Sequence, residues 1–203
     1  MAYKHGVYTQ EVPTSIVPAV NTTAGLPVVF GTAPVHLATD RAATNKPVLC
    51  YSYAEAVQQL GFSKDWAKYT LCEVMYSQFA LYNRGPVVFV NVLDPKTHKK
   101  SVADKSVTVS DKTAKVDAAV LLDTLKIKAS AVGSELVAGK DYEAAYDDDG
   151  ALVITLLDDG TASAASSLTL AYDELDPTAV DQDDIIGGIS VSDGSVKGLE
   201  CLN

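Results

Sequence analysis

The feature that most constrains this chain is a change of hydrophobic rhythm after Pro95. Before it, two unbroken apolar runs, LPVVFGTAP (26–34) and PVVFVNVLDP (86–95), bracket two segments whose apolar residues recur at three- and four-residue intervals. Unbroken runs suit buried strands, and the longer period suits helices. Strand, helix, helix and strand require a crossover connection, so the reading is two parallel strands in one sheet with the helices across its face.

Local chemistry marks the helix ends. Ser52 and Glu55 form a capping box at the start of SYAEAVQQLG, and Gly61 is placed to end that helix in the left-handed conformation. Thr70 and Glu73 repeat the spacing at the start of TLCEVMYSQFALYN, where Leu71, Met75, Phe79 and Tyr82 predict one apolar face given to the core rather than to a cofactor. Asn83 and Gly85 stop the second helix.

Beyond Pro95 the sequence turns to short alternating strands, SVTV, TLKIKAS, ELVAGKDYEAAYDDDGALVITLL and SLTLAYDEL, separated by glycine-containing turns. Asp149-Gly150 signals a hairpin, because a tight turn there needs a positive φ that glycine supplies freely. A meander or small β-sandwich of about 75 residues is expected. The run Asp147, Asp148, Asp149 lacks the ligand spacing and closing Glu of an EF-hand and reads as a solvated turn. The chain leaves this region through Pro177; Ile185, Ile186, Gly187 and Gly188 begin a return toward the first unit, and Gly198, Leu199 and Glu200 read as the opening of a further element.

The fold class is therefore α+β: a partial α/β core of strand-helix-helix-strand with an inserted antiparallel β-sandwich-like domain and an extended N-terminal arm. The expected division is an arm at 1–25, the core portion at 26–98, the β-rich insertion at 99–178 and a return segment at 179–203.

Charge and composition narrow the function. The net charge is −10; residues 1–98 hold 7 basic and 6 acidic residues, and the remainder holds 9 and 20. An acidic chain without clustered Lys and Arg argues against a nucleic-acid partner. No apolar run approaches the roughly 20 residues of a membrane span, and the opening MAYKHGVYTQEVP lacks a signal-peptide layout, predicting a protein made and kept in cytosol. Cys50, Cys72 and Cys201 have no CxxC spacing, and His5, His36 and His98 have no ligand-spaced partner, so no metal or disulfide framework is expected. Neither apolar run is followed by a phosphate-binding glycine loop, and no GxSxG or HExxH occurs. No catalytic residue, cofactor or metal is assigned. An enzyme would need a polar pocket at the strand ends, with His36 and Asp94 as its nearest candidates.

The segment 4–20 is different again. Val7, Tyr8, Val12 and Ile16 favour extended backbone, while Pro13 and Pro18 bar a helix or a central strand. With too few apolar residues to bury itself, it predicts an arm that needs another chain's surface.

Taken together, the opening GVYTQEVPTSI, the segment AGLPVVFGTAPVH, the helices around YSYAEAVQQLGFS and YTLCEVMYSQF, the strand PVVFVNVLDP, the insertion with GKDYEAAYDDDG and the return DIIGGIS with KGLE resemble, in order, the tail sheath proteins of contractile phages, prophages and phage-tail-like bacteriocins. The resemblance spans nearly the whole chain. Family members usually continue well beyond such a segment, so it implies the N-terminal portion of a sheath subunit. It further implies hexameric rings stacked helically around an inner tail tube protein, baseplate and tail terminator proteins as other partners, and assembly in the host bacterial cytoplasm into a virion tail. On this reading Gly6, Val7, Tyr8, Thr9, Gln10, Glu11, Val12, Pro13 and Ile16 form a strand donated to a neighbouring subunit. Contraction would then relax a metastable lattice without nucleotide hydrolysis. The alternative is a tail-associated β-domain that binds a surface receptor, for which Tyr142, Tyr146 and Tyr172 are the candidate aromatics.

Overall fold

The computed structural model describes residues 25–130, 133–191 and 194–202. Mixed α and β content is arranged as several small sheets over two hydrophobic clusters. The first sheet contains β1 (Val28–Gly31) and β2 (Pro47–Cys50), followed in the chain by helices α1 (Tyr53–Leu60) and α2 (Thr70–Met75), and then β3 (Val87–Asn91). The strand order is β1-β3-β2, with β1 parallel to β3 and β2 antiparallel to it. The parallel pair is the crossover geometry read from the sequence, whereas β2 was not foreseen.

All five residues of β3 are buried, as a continuous apolar run should be between two neighbours. The first run departs from expectation: β1 is an edge strand, and its Val28 is 40% exposed. Apolar content alone does not separate a central strand from an edge one.

Helix α1 opens on Ser52, whose hydroxyl accepts the Glu55 N–H at 3.3 Å. The return arm of the box lands one residue early, with Glu55 Oε2 accepting the Tyr51 N–H at 2.9 Å. Gly61 closes the helix with φ 75° but ψ 172°, extended rather than left-handed helical. A Cβ there would collide with the Pro34 carbonyl oxygen, so glycine is required by close approach as well as by φ.

Helix α2 corrects the sequence reading twice. Thr70 is its first residue and makes no cap; Tyr69 precedes it without a side-chain cap bond. From Tyr76 to Leu81 the backbone widens into a π-helical turn, which rotates the apolar stripe. Leu71, Met75 and Phe79 are buried, but Tyr82 is left 68% exposed. Phe79 packs against Phe89 of β3 with ring centroids 6.1 Å apart.

The remaining strands are β4 (Lys99–Thr108), β5 (Thr113–Val116), β6 (Lys126–Lys128), β7 (Tyr142–Tyr146), β8 (Leu152–Leu156) and β9 (Ser167–Leu175). They form two antiparallel three-stranded sheets, β4-β9-β6 and β5-β8-β7. Both contribute to the second cluster, with Ile127, Leu168 and Leu170 from one sheet and Ala114, Leu152 and Ile154 from the other. β5 was also missed in sequence. β4 is broken by an irregularity between Val102 and Lys105, where Asp104 takes φ 52°. The β7–β8 turn has Gly150 at φ 84°, as the Asp-Gly signal requires.

The clusters meet. Leu121, between β5 and β6, and Leu175, the last residue of β9, are buried in the first cluster together with Phe89 and Leu93. After β9, helix α3 (Gln182–Ile186) and the short strands β10 (Gly188–Ile189) and β11 (Val196–Lys197) lead into a 3₁₀ turn at Gly198–Leu202. This last stretch contacts earlier parts of the chain through the Gly198 N–H, which donates to Asn45 Oδ1 at 3.2 Å, and through His98 and Asp184, 3.2 Å apart.

Candidate interaction surfaces

In an α/β protein the carboxyl ends of parallel strands are where polar side chains gather around a ligand. Here those side chains are committed to one another. Asn91, the last residue of β3, is buried; its Oδ1 accepts the N–H groups of Ala33 and Leu93, both at 3.1 Å, and its Nδ2 donates to the Leu93 carbonyl at 3.1 Å. Thr70 Oγ1 accepts the Thr32 N–H at 3.1 Å, while Thr32 Oγ1 accepts the Thr70 N–H at 3.1 Å and donates to the Lys68 carbonyl at 2.7 Å. Gly31 makes this possible: a Cβ there would strike Thr70 Oγ1 and approach Leu71 to 3.1 Å, so only a bare backbone lets α2 lie this close to β1. The sequence signalled Thr70 as a cap because its true partner is 38 residues away.

The suggested pair of His36 and Asp94 is not brought together. His36 lines a cavity of about 400 Å³ with Tyr69 and Glu174, whereas Asp94 lines another of about 510 Å³ with Arg41 and Asp123. Asp94 organises its own turn: its Oδ1 accepts the Lys96 N–H at 2.9 Å and its N–H donates to His98 Nδ1 at 3.0 Å. That contact leaves His98 Nε2 to donate to Asp184.

The thiols are similarly occupied. Cys50 and Cys72 are fully buried, and burial pushes both up to about 11, away from reactive thiolate. Cys72 Sγ accepts the Ser63 N–H at 3.4 Å.

In the acidic turn, Asp147 Oδ1 accepts the N–H groups of Asp149 and Ala151 at 3.1 and 2.9 Å, and Oδ2 pairs with Lys115 at 2.5 Å. The Lys115 ammonium, then the Ala151 N–H, hold this carboxyl below its ordinary range. Tyr142 and Tyr172 are buried in the second cluster, and the Tyr146 hydroxyl donates to the Val120 carbonyl.

Among the described residues, open surfaces include a sheet edge and an apolar patch. β1 and β2 are the edges of the first sheet among the described residues. The stretch from α3 to the 3₁₀ turn shows Ile186, Ile189, Leu199 and Leu202 to solvent. The nine residues assigned to the inter-subunit arm, Gly6 to Val12 with Pro13 and Ile16, lie outside the described residues. Among the described residues no helix is long and apolar enough to cross a membrane.

In sequence the chain resembles a virion structural protein of a bacteriophage. The relative is the tail sheath protein of Burkholderia phage BcepMu, 30% identical over 202 residues that make up 98% of this chain. The chain spans 39% of that relative's length, and the resemblance to tail sheath proteins read from the sequence is borne out. No family model and no solved structure matches the chain.

Proposed function

We propose that the chain is the N-terminal portion of a structural subunit of a contractile tail sheath. The observation that carries this reading is the likeness to a phage tail sheath protein along 98% of the chain. In this reading subunits form hexameric rings stacked around an inner tail tube, bounded by baseplate and terminator proteins and assembled in the host bacterial cytoplasm. Contraction releases free energy stored in a metastable lattice, with no nucleotide hydrolysis. The strand-end side chains used up by Asn91, Thr32 and Thr70 support a scaffold rather than an enzyme.

The working division is an arm at 1–25, a core portion at 26–98, a β insertion at 99–178 and a return at 179–203. The arm pairs with a sheet of a neighbouring subunit, using main-chain hydrogen bonds for grip and alternate side chains such as Val7 and Val12 for register. Burial of Tyr142 and Tyr172 weighs against the receptor-binding alternative.

Electron microscopy of a full-length sheath protein carrying this segment tests the proposal. Deleting residues 1–17 is expected to leave the circular dichroism of the subunit unchanged and to abolish rings and tubes. Tubes of normal appearance from the deleted protein would rule out the donated strand.

A further inference from the structure

His36 lies on a 3₁₀ turn (Val35–Leu37) between β1 and β2, 7% exposed, where the two hydrophobic clusters meet. Its ring sits 6.1 Å from Tyr69 of the first cluster and 5.5 Å, edge-on, from Tyr146, which packs on the second. Next to it, Leu37 covers Gly150 at the tip of the β7–β8 hairpin, where a Cβ would come within 3.1 Å of the leucine. His36 Nδ1 is buried and has no hydrogen-bond partner.

We propose that His36 is an acid-sensitive joint: while neutral it seats the 3₁₀ turn against the β7–β8 hairpin, and when protonated it opens that seam while both hydrophobic clusters stay folded.

An imidazolium needs acceptors for two N–H groups, and this seam gives Nδ1 none. The Tyr146 hydroxyl is committed to the Val120 carbonyl, and Arg41, whose Nε donates to the Val35 carbonyl at 3.0 Å, adds like charge. Burial, then the Arg41 guanidinium, bring His36 from 6.5 down to about 4. The cavity beside the ring is walled by Asp117, Asp149, Glu174 and Asp176 with Lys68 and Lys100, so a surplus of carboxylate awaits the charged ring once the seam parts. A base whose folded value is depressed favours the closed form fully above its ordinary value. That advantage shrinks as pH falls from about 6.5 toward about 4 and changes no further below. The open fraction should therefore rise on the order of 10²-fold between pH 7 and pH 4.

Amide hydrogen exchange of the 203-residue chain, corrected for intrinsic rates, reads this directly. His36→Phe keeps a ring between Tyr69 and Tyr146 but takes no proton. In the natural chain, protection at residues 35–37 and 147–151 should fall on the order of 10²-fold relative to β3 and β8 between pH 7 and pH 4, and in the variant it should hold. The seam carboxylates are common to both proteins and cancel. Equal loss in the variant, or loss at β3 and β8 in step with the seam, overturns the proposal. Should the variant not fold, proton NMR of the natural chain decides: a His36 midpoint near 4 with concerted shifts at Leu37 and Gly150 supports the joint, and a midpoint near 6.5 sinks it.

Discussion

The two hydrophobic clusters are similar in size but differ in the polar chemistry that fixes their borders. At the first, the buried strand ends are joined to the helix start by neutral side chains, Asn91, Thr32 and Thr70, while its carboxylates, Glu55 and Asp94, cap exposed turns. Around the second, carboxylates do the tying. Asp141 accepts the N–H groups of Thr161 and Val137 at 2.9 and 2.8 Å, Asp147 accepts those of Asp149 and Ala151, and Asp173 holds Ser101 and Lys99 at 2.6 Å. The acidic surplus of the second half is thus partly architectural, since Asp141 and Asp147 accept backbone N–H groups in the turns beside the strands. Setting His36 aside, acid should loosen the second region before the first.

Three substitutions test that contrast. The largest effect is expected from Asn91→Leu, which strands two buried N–H groups and a carbonyl in the first region. A loss of about 2–4 kcal/mol by denaturant titration is expected, nearly constant from pH 7 to pH 4. A smaller and pH-dependent effect is expected from Asp141→Asn. The N–H groups of Thr161, then Val137, hold this carboxyl below its ordinary 3.8, so its contribution is complete above that value and fades as pH falls through the lowered one. The gap in Tm between natural and variant proteins should be steady down to about pH 4 and close below it; a gap that persists at pH 2 would remove the distinction between the regions. The smallest effect belongs to Lys112→Ala at the exposed Lys112–Asp158 pair, with less than about 0.5 kcal/mol expected by thermal melting.

What the sequence disclosed follows the range of the interactions. The Ser52 cap, the β7–β8 turn at Gly150 and the buried run of β3 depend on residues a few positions apart, and all three are visible as pattern. Thr70 and Asn91 were not, because each is explained by a partner distant in sequence, Thr32 in one case and Ala33 in the other. The exposure of Tyr82 was hidden by a π-helical turn that no spacing rule anticipates. β2 and β5, four residues each, are too short to show a period. The likeness to a tail sheath protein was legible as an ordered set of segments, whereas the arm residues 6–16 lie beyond what the structure describes.

The irregularity in β4 bears on how this border of the sheet meets any other chain. A ten-residue strand at the rim of a sheet invites any passing backbone to zip onto it. The break between Val102 and Lys105 leaves no regular stretch longer than four residues, and Lys99, Lys100 and Lys105 crowd the rim with charge. Promiscuous sticking is thereby discouraged along this border.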